Sequence, residues 1–246
     1  IVPTIDTELI KLSDNKDYIE KNTKAKVLIS SPDCINICRD KTKTYNFFME
    51  NKFNCPKTFS ISEINNQEYQ FPLFIKPKNG SSSINAFKVN YQRELDFFMS
   101  YIKEPIVQEF IEGTEYTIDV LTDFDSNAIS IVPRIRLAVR SGEVLKGKIV
   151  KNELIIEDVK RLIKSLKPIG PITVQCIVTN TNEINYIEIN PRFGGGAPMS
   201  IKAGANSCLA LYKILLGEKV EYTEDYRDNI TFSRYDDSLL IENKDD

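Results

Sequence analysis

Two spacings of apolar residues run along this chain, and they set its elements before anything else is considered. Strict alternation marks 173–178, where Val174, Cys176 and Val178 alternate with Thr173, Gln175 and Ile177. It also marks 185–190, where Ile187 and Ile189 alternate with Glu188 and Asn190. Such alternation predicts half-buried strands, here joined as a hairpin. Helical spacing appears in 42–52 through Tyr45, Phe48 and Met49, with Asp40 as the cap and Cys55-Pro56 as the stop. It recurs in 93–103 through Leu95, Phe98 and Ile102. Further helices are predicted over 157–166 and 200–216, the last ending at Gly217. Extended segments are predicted over 71–76, 86–89, 106–111, 115–122, 130–138 and 145–150. Residues 79–83 read as a polar loop and Gly113 as a turn. Residues 1–39 mix short helical and strand patterns, including the apolar run 26–30, and the charged tail from Lys244 reads as frayed. The order of elements predicts α+β layers in two lobes rather than a doubly wound parallel sheet.

Composition changes this picture mainly by exclusion. The chain has 246 residues, 41% hydrophobic and 27% charged, ordinary values for a globular protein. Its net charge of -3 argues against a nucleic-acid or acidic-membrane surface, although a phosphorylated ligand needs only a few cations. No apolar run approaches the ~20 residues that cross a bilayer. Five cysteines, with no CxxC pair, point to a reducing compartment, so the cytoplasm is expected. Cys34 and Cys38 read as packed thiols rather than a metal half-site. Histidine is absent, which excludes Ser-His triads, HExxH zinc sites and histidine bases. Any chemistry rests on carboxylates, Lys, Arg and a metal. Neither GxGxxG nor GxxxxGK[ST] occurs. The chain opens on Ile1 without a signal-peptide pattern, so an N-terminal part is expected to be missing from it.

The hairpin concentrates the candidate chemistry. On a strand, Glu188 and Asn190 share a face, while Ile187 and Ile189 are expected to point into the core. A turn symmetric about Thr181-Asn182 sets Gln175 opposite Glu188, with Cβ atoms roughly 4.5–5.5 Å apart. Three oxygen-bearing side chains then meet, a set suited to Mg²⁺ shared with phosphates and water, with Mn²⁺ as an alternative. Pro191 is followed by Arg192, whose guanidinium could neutralise charge that develops during phosphoryl transfer. Gly194, Gly195 and Gly196 permit close approach of backbone to a ligand. A solvated strand face carrying Glu, Asn and Gln is the bland alternative for this segment.

The run Glu188-Ile189-Asn190-Pro191-Arg192-Phe193-Gly194-Gly195-Gly196 closely resembles the metal-binding strand of ATP-grasp enzymes. Its longer form is similar to the branch of carbamoyl-phosphate synthase large subunits and amino-acid ligases. Other segments resemble the family in the same order, from about residue 39 to 235. Arg39-Asp40-Lys41 is similar to the segment whose lysine approaches the nucleotide phosphates. Pro72 to Pro77 matches the strand whose lysine, here Lys76, would contact the α- and β-phosphates. Val107 to Tyr116 looks like the hinge strand. There Glu109, Phe110 and the backbone of Ile111 would meet adenine, and Glu115 would hold the ribose hydroxyls. Arg134, and more weakly Arg136, are similar to basic residues near the terminal phosphate and acyl phosphate. Ser81 and Ser82 would donate to phosphate from a loop that is usually richer in glycine.

The resemblance implies an ATP-grasp fold with ATP between two lobes. Residues 1–53 would be a linker from a missing N-terminal domain plus the first helix. Residues 54–107 would be the lid, and 108–246 the core with the metal site. Arg192 and Arg134 would be catalytic; Lys41, Lys76, Ser81, Ser82, Glu109, Phe110, Ile111 and Glu115 would bind ATP; Gln175, Glu188 and Asn190 would hold Mg²⁺. The implied reaction joins a small-molecule carboxylate to an amine through an acyl phosphate, releasing ADP and phosphate. The implied partners are those substrates and an N-terminal domain or companion chain, with a homodimer compatible. The alternatives are carbamoyl-phosphate synthase-like phosphotransfer to bicarbonate or carbamate, and an ATP-binding module without catalysis.

Overall fold

A computed structural model describes residues 1–79, 84–140 and 142–235. Its first layer is helical: a 3₁₀ turn at Asp6–Glu8, then α1 (Leu9–Asp14), α2 (Lys16–Asn22), α3 (Pro32–Arg39) and α4 (Lys41–Glu50). Ser31 caps α3, with Pro32 in its first turn. Asp40 caps α4 as expected, its Oδ1 accepting from the amides of Thr42 at 2.9 Å and Lys43 at 3.3 Å. The apolar run 26–30 belongs to no strand; Val27, Leu28 and Ile29 are buried as an extended connection.

A smaller antiparallel sheet follows. It holds β1 (Thr58–Phe59), β2 (Leu73–Pro77), β3 (Phe87–Val89) and β4 (Pro105–Glu109) in the order β1-β4-β2-β3, with α5 (Ile61–Asn65) and α6 (Gln92–Tyr101). Leu73, Ile75, Val89, Leu95, Ile102 and Val107 form its core.

The larger antiparallel sheet has the order β10-β7-β6-β5-β8-β9. Its strands are β5 (Thr114–Thr122), β6 (Ala128–Arg140), β7 (Glu143–Ile149), β8 (Gly170–Val178), β9 (Ile184–Asn190) and β10 (Ile230–Ser233). The period of two gives this sheet two unlike faces. Tyr116, Ile118, Val120, Ile172, Val174, Cys176 and Ile189 pack with α7 (Glu153–Leu166), with Phe48 within α4 and with Phe53 after it. Phe48 and Phe53 lie 5.4 and 5.5 Å from the Tyr186 ring. The opposite face carries Glu115, Thr117 and Asp119 on β5, beside Gln175 and Thr173 on β8.

Two expectations need correction. The helix expected over 200–216 is two helices, α8 (Ala197–Ala203) and α9 (Ser207–Leu215). Gly204, at φ 126°, breaks them, and the Asn206 Oδ1 caps α9 by accepting from the Leu209 amide at 3.1 Å. Ile187 does not point into the core. A register shift pairs Cys176 with Tyr186 and Gln175 with Glu188, so Ile187 is the extra residue of a β-bulge and lines a cleft. Among the described residues no helix is long and apolar enough to cross a membrane.

Candidate active site

A cleft of about 540 Å³ opens between the two sheets. From the smaller sheet and its hinge it is lined by Phe74, Lys76, Lys88, Gln108, Glu109, Phe110 and Ile111. From the larger sheet it is lined by Glu115, Arg136, Gln175, Ile177, Ile187 and Glu188, and from α4 by Lys41. A second cavity of about 80 Å³ shares Arg136, Gln175 and Glu188 with the cleft. Its other walls include Arg134, Glu143, Thr173, Asn190, Arg192 and Gly194 to Gly196. The hairpin therefore stands where the two spaces meet.

The expected Gln175–Glu188 pairing is present, and Asn190 lies opposite Thr173 one step further along. Gln175 and Glu188 are half-buried and Asn190 is buried. Two lysines face this carboxylate electrostatically. Burial lowers the Lys41 pKa, while Glu188 opposes that shift. Burial pushes Lys76 down to about 8, again opposed by Glu188 and reinforced by Lys41. Lys76 is only 6% exposed at the end of an otherwise apolar strand, its ammonium 5.9 Å from the Phe74 ring centre. A buried ammonium is disfavoured unless an anion compensates it.

The hinge between the sheets runs from β4 to β5. The strand expected over 106–111 ends at Glu109, leaving Phe110 and Ile111 in the connection on the cleft wall. Lys88 lies 4.1 Å from the Phe110 ring centre, closing that wall from β3. A Cβ on Gly113 would stand 2.3 Å from the Val178 carbonyl oxygen, so only glycine lets the hinge pass this close to β8. Glu115, expected at the ribose, accepts from Arg136 Nη1 at 2.5 Å.

The arginines differ sharply in setting. Arg134 does not sit on a wet strand face; it is 1% exposed. Its Nε and Nη2 each donate to Asp119 Oδ2 at 3.4 Å, and Ser200 Oγ donates to the same oxygen at 2.6 Å. Among the described residues Arg134 Nη1 finds no hydrogen-bond partner. Gly196 lies against the guanidinium, where a Cβ would stand 2.2 Å from Nη2. Arg192 donates from Nη2 to Asp6 Oδ2 at 2.8 Å and from Nη1 to the Phe193 carbonyl at 3.3 Å.

Of the sequence-derived residues, the cleft gathers Lys41, Lys76, Glu109, Phe110, Ile111, Glu115, Gln175 and Glu188. The adjoining cavity gathers Arg134, Asn190 and Arg192. Ser81 and Ser82 lie outside the described residues. Sequence reasoning missed Asp6, Asp119, Glu143 and Ser200. Asp119 had a signal, since it continues the period-two series Glu115, Thr117 on β5. Asp6 had none, because its partner is 186 residues away. Among the described residues no three His, Cys, Asp or Glu side chains cluster as a metal site. The donor set at the hairpin is one carboxylate and two amides.

Known proteins share this sequence and shape. The sequence profile of the ATP-grasp domain matches residues 38–196, more than half of the 246-residue chain. A D-alanine–D-alanine ligase from Pelagibacter ubique is 28% identical over 111 residues, covering 40% of this chain and 36% of that one. A carbamoyl phosphate synthase large chain from Lachnoclostridium phytofermentans is 32% identical over 124 residues, covering 47% of this chain and 12% of that one. The crystal structure of an L-amino acid ligase from Bacillus licheniformis superposes with a TM-score of 0.71 at 20% identity, covering 92% of this chain and 59% of that one. In each case the match spans less than two thirds of the relative's length. Profile, relatives and fold agree with the two-sheet cleft, and the chain belongs to the ATP-grasp domain family.

Proposed function

We propose that this protein is an ATP-dependent, Mg²⁺-dependent ligase that activates a carboxylate as an acyl phosphate for attack by an amine. The observation that carries this reading is the convergence of Lys41, Lys76, Gln175 and Glu188 on one cleft between the sheets. Phosphoryl transfer asks mainly for positioning and charge neutralisation, which a chain without histidine can supply. In this reading residues 54–107 act as the lid, 108–246 as the core, and 1–53 as the linker and first helix in front of them.

The donor chemistry fits Mg²⁺. Glu188, Gln175 and Asn190 offer oxygen ligands only, and a single carboxylate is enough when phosphates and water complete the shell. When bound there, the ion would neutralise phosphate charge. The chain's own residues do the rest. Lys41 and Lys76 bind the phosphate chain as cations. Glu109, Phe110 and Ile111 orient the adenine, and Glu115 accepts from the ribose. Arg134 and Arg192 hold negative charge at the transferring phosphoryl and the acceptor carboxylate. Closure of the sheets on each other excludes water from the acyl phosphate. The relatives named as ligases of amino acids support an amino-acid-like acceptor.

Phosphotransfer to bicarbonate or carbamate is the second reading. The carbamoyl phosphate synthase match and the small size of the 80 Å³ cavity favour it. ADP release measured on the protein with amino acids, small diacids and bicarbonate separates the two. Release that requires a carboxylic acid and an amine together supports ligation. Release with bicarbonate alone supports the second reading. Glu188→Ala is expected to keep the fold and cut ADP release by about 10²–10³-fold, since a lost metal contact removes several kcal/mol of charge stabilisation. Wild-type turnover in that variant overturns the metal assignment.

A further inference from the structure

The residues assigned above lie between positions 41 and 192, within the ATP-grasp match. One acidic side chain from outside that match reaches them. Asp6, in the 3₁₀ turn that opens the chain, is only 6% exposed. A buried carboxylate is costly unless cations pair with it. Its Oδ2 accepts from Arg192 Nη2 at 2.8 Å, and its Oδ1 lies 3.6 Å from Arg39 Nη1. The turn is itself anchored, because Leu9 directly after it is fully buried with Val27, Ile29 and Ile35. Asp6 is therefore a fixed point, whereas Arg192 is a long side chain on the loop that leaves β9.

We propose that Asp6 is a positioning residue for Arg192, and this rests on the reading of Arg192 as a phosphate-facing group. The carboxylate grips one edge of the guanidinium, and the Phe193 carbonyl takes a hydrogen from the other terminal nitrogen. An arginine has five donors in a rigid fork, so hydrogens remain to face the cavity that Arg192 lines. Without this anchor the guanidinium would be drawn to Glu188 or Glu143, which line the same cavity. Pairing with Glu188 would cancel the cation and occupy the proposed metal ligand in one step. The segment before the matched domain thus completes the site: Asp6 sets where the positive charge stands, while Arg39, at the start of the match, places a second positive charge at the other edge of that carboxylate.

The test needs no knowledge of the acceptor. Mg·ADP and Mg·AMP-PNP are titrated calorimetrically into wild type, Asp6→Ala, Asp6→Asn, Arg192→Gln and the Asp6→Ala/Arg192→Gln double variant. The readout is the preference for the triphosphate analogue over the diphosphate. Arg192→Gln is expected to lower that preference about tenfold, the size of one charge-assisted hydrogen bond. Asp6→Ala is expected to lower it by nearly as much with Mg·ADP affinity unchanged, and the double variant no further than Arg192→Gln alone. Asp6→Asn keeps the shape and decides the matter if Asp6→Ala melts without a cooperative transition. Effects that multiply in the double variant, or an unchanged preference in Asp6→Asn beside a lowered one in Arg192→Gln, overturn the positioning role. An unchanged preference in Arg192→Gln overturns the reading of Arg192 and this inference with it.

Discussion

Lys76 shows how a single residue's surroundings set its task. Burial holds its pKa near 8 against an ordinary value of 10.5. The sign follows from proton binding: between those two pH values the unfolded chain carries a proton that the folded lysine has lost. The penalty for the buried charge is full below pH 8 and is relieved as pH rises through the window, so this group adds stability with rising pH there. Nucleotide binding has the opposite demand, because phosphate favours the charged ammonium. At about pH 8.5, Mg·ATP binding is therefore expected to take up protons, seen as a buffer-dependent binding enthalpy in calorimetry. Lys76→Met should abolish most of that uptake. Equal uptake in wild type and variant would remove Lys76 from the phosphate site.

At the scale of elements, the β8–β9 hairpin and the glycine loop after it do the positioning. Their register was legible in part. A symmetric turn correctly sets Gln175 opposite Glu188, but it would pair Cys176 with Ile187, and the structure pairs Cys176 with Tyr186. The bulge at Ile187 resolves the conflict. Tyr186 enters the aromatic cluster with Phe48 and Phe53 and donates to Asp158 Oδ2 at 2.9 Å, while Glu188 keeps its place on the site face. The glycines proved to be more than a flexible turn. A Cβ at position 196 would meet Arg134 Cζ at 2.4 Å, and that guanidinium is buried and tied to Asp119. Gly196→Ala is expected to cost about 1–3 kcal/mol in chemical denaturation, as overpacking does. Adding Arg134→Lys, a slimmer side chain, should recover part of that loss. Wild-type stability in Gly196→Ala would show that the loop yields freely.

At the scale of the molecule, the cleft is made by two sheets with separate cores, joined through the β4–β5 connection. Separate cores let the sheets close as rigid bodies while the packing within each is kept. A ligand touching both ties them together and binds only the folded state. Mg·ATP at a hundredfold excess over its Kd is expected to stabilise the protein by about 2.7 kcal/mol. That corresponds to a rise in melting temperature of roughly 5–10 °C for a chain of this size. Differential scanning fluorimetry measures it, with Glu188→Ala as the comparison. A full shift in that variant would separate nucleotide binding from the hairpin carboxylate.

The sequence by itself determined what depends on near neighbours. Alternation gave the strands of the site, Asp40 marked the start of α4, and the ordered motifs gave the ATP-grasp family, whereas α4 ends at Glu50, well before the Pro56 expected to stop it. The residue types also limited the chemistry, since a chain without histidine must work with carboxylates, amides and cations. Only the tertiary structure decided which polar side chains are buried and with whom. The family resemblance marks Arg134 in the sequence, but its burial and its partners appear only when β5 and α8 bring Asp119 and Ser200 to it. Asp6 meets Arg192 across 186 residues, a distance at which no local spacing carries information. Periodicity tells which way a side chain points; what it meets there depends on how separate elements pack, and that is settled by the fold as a whole.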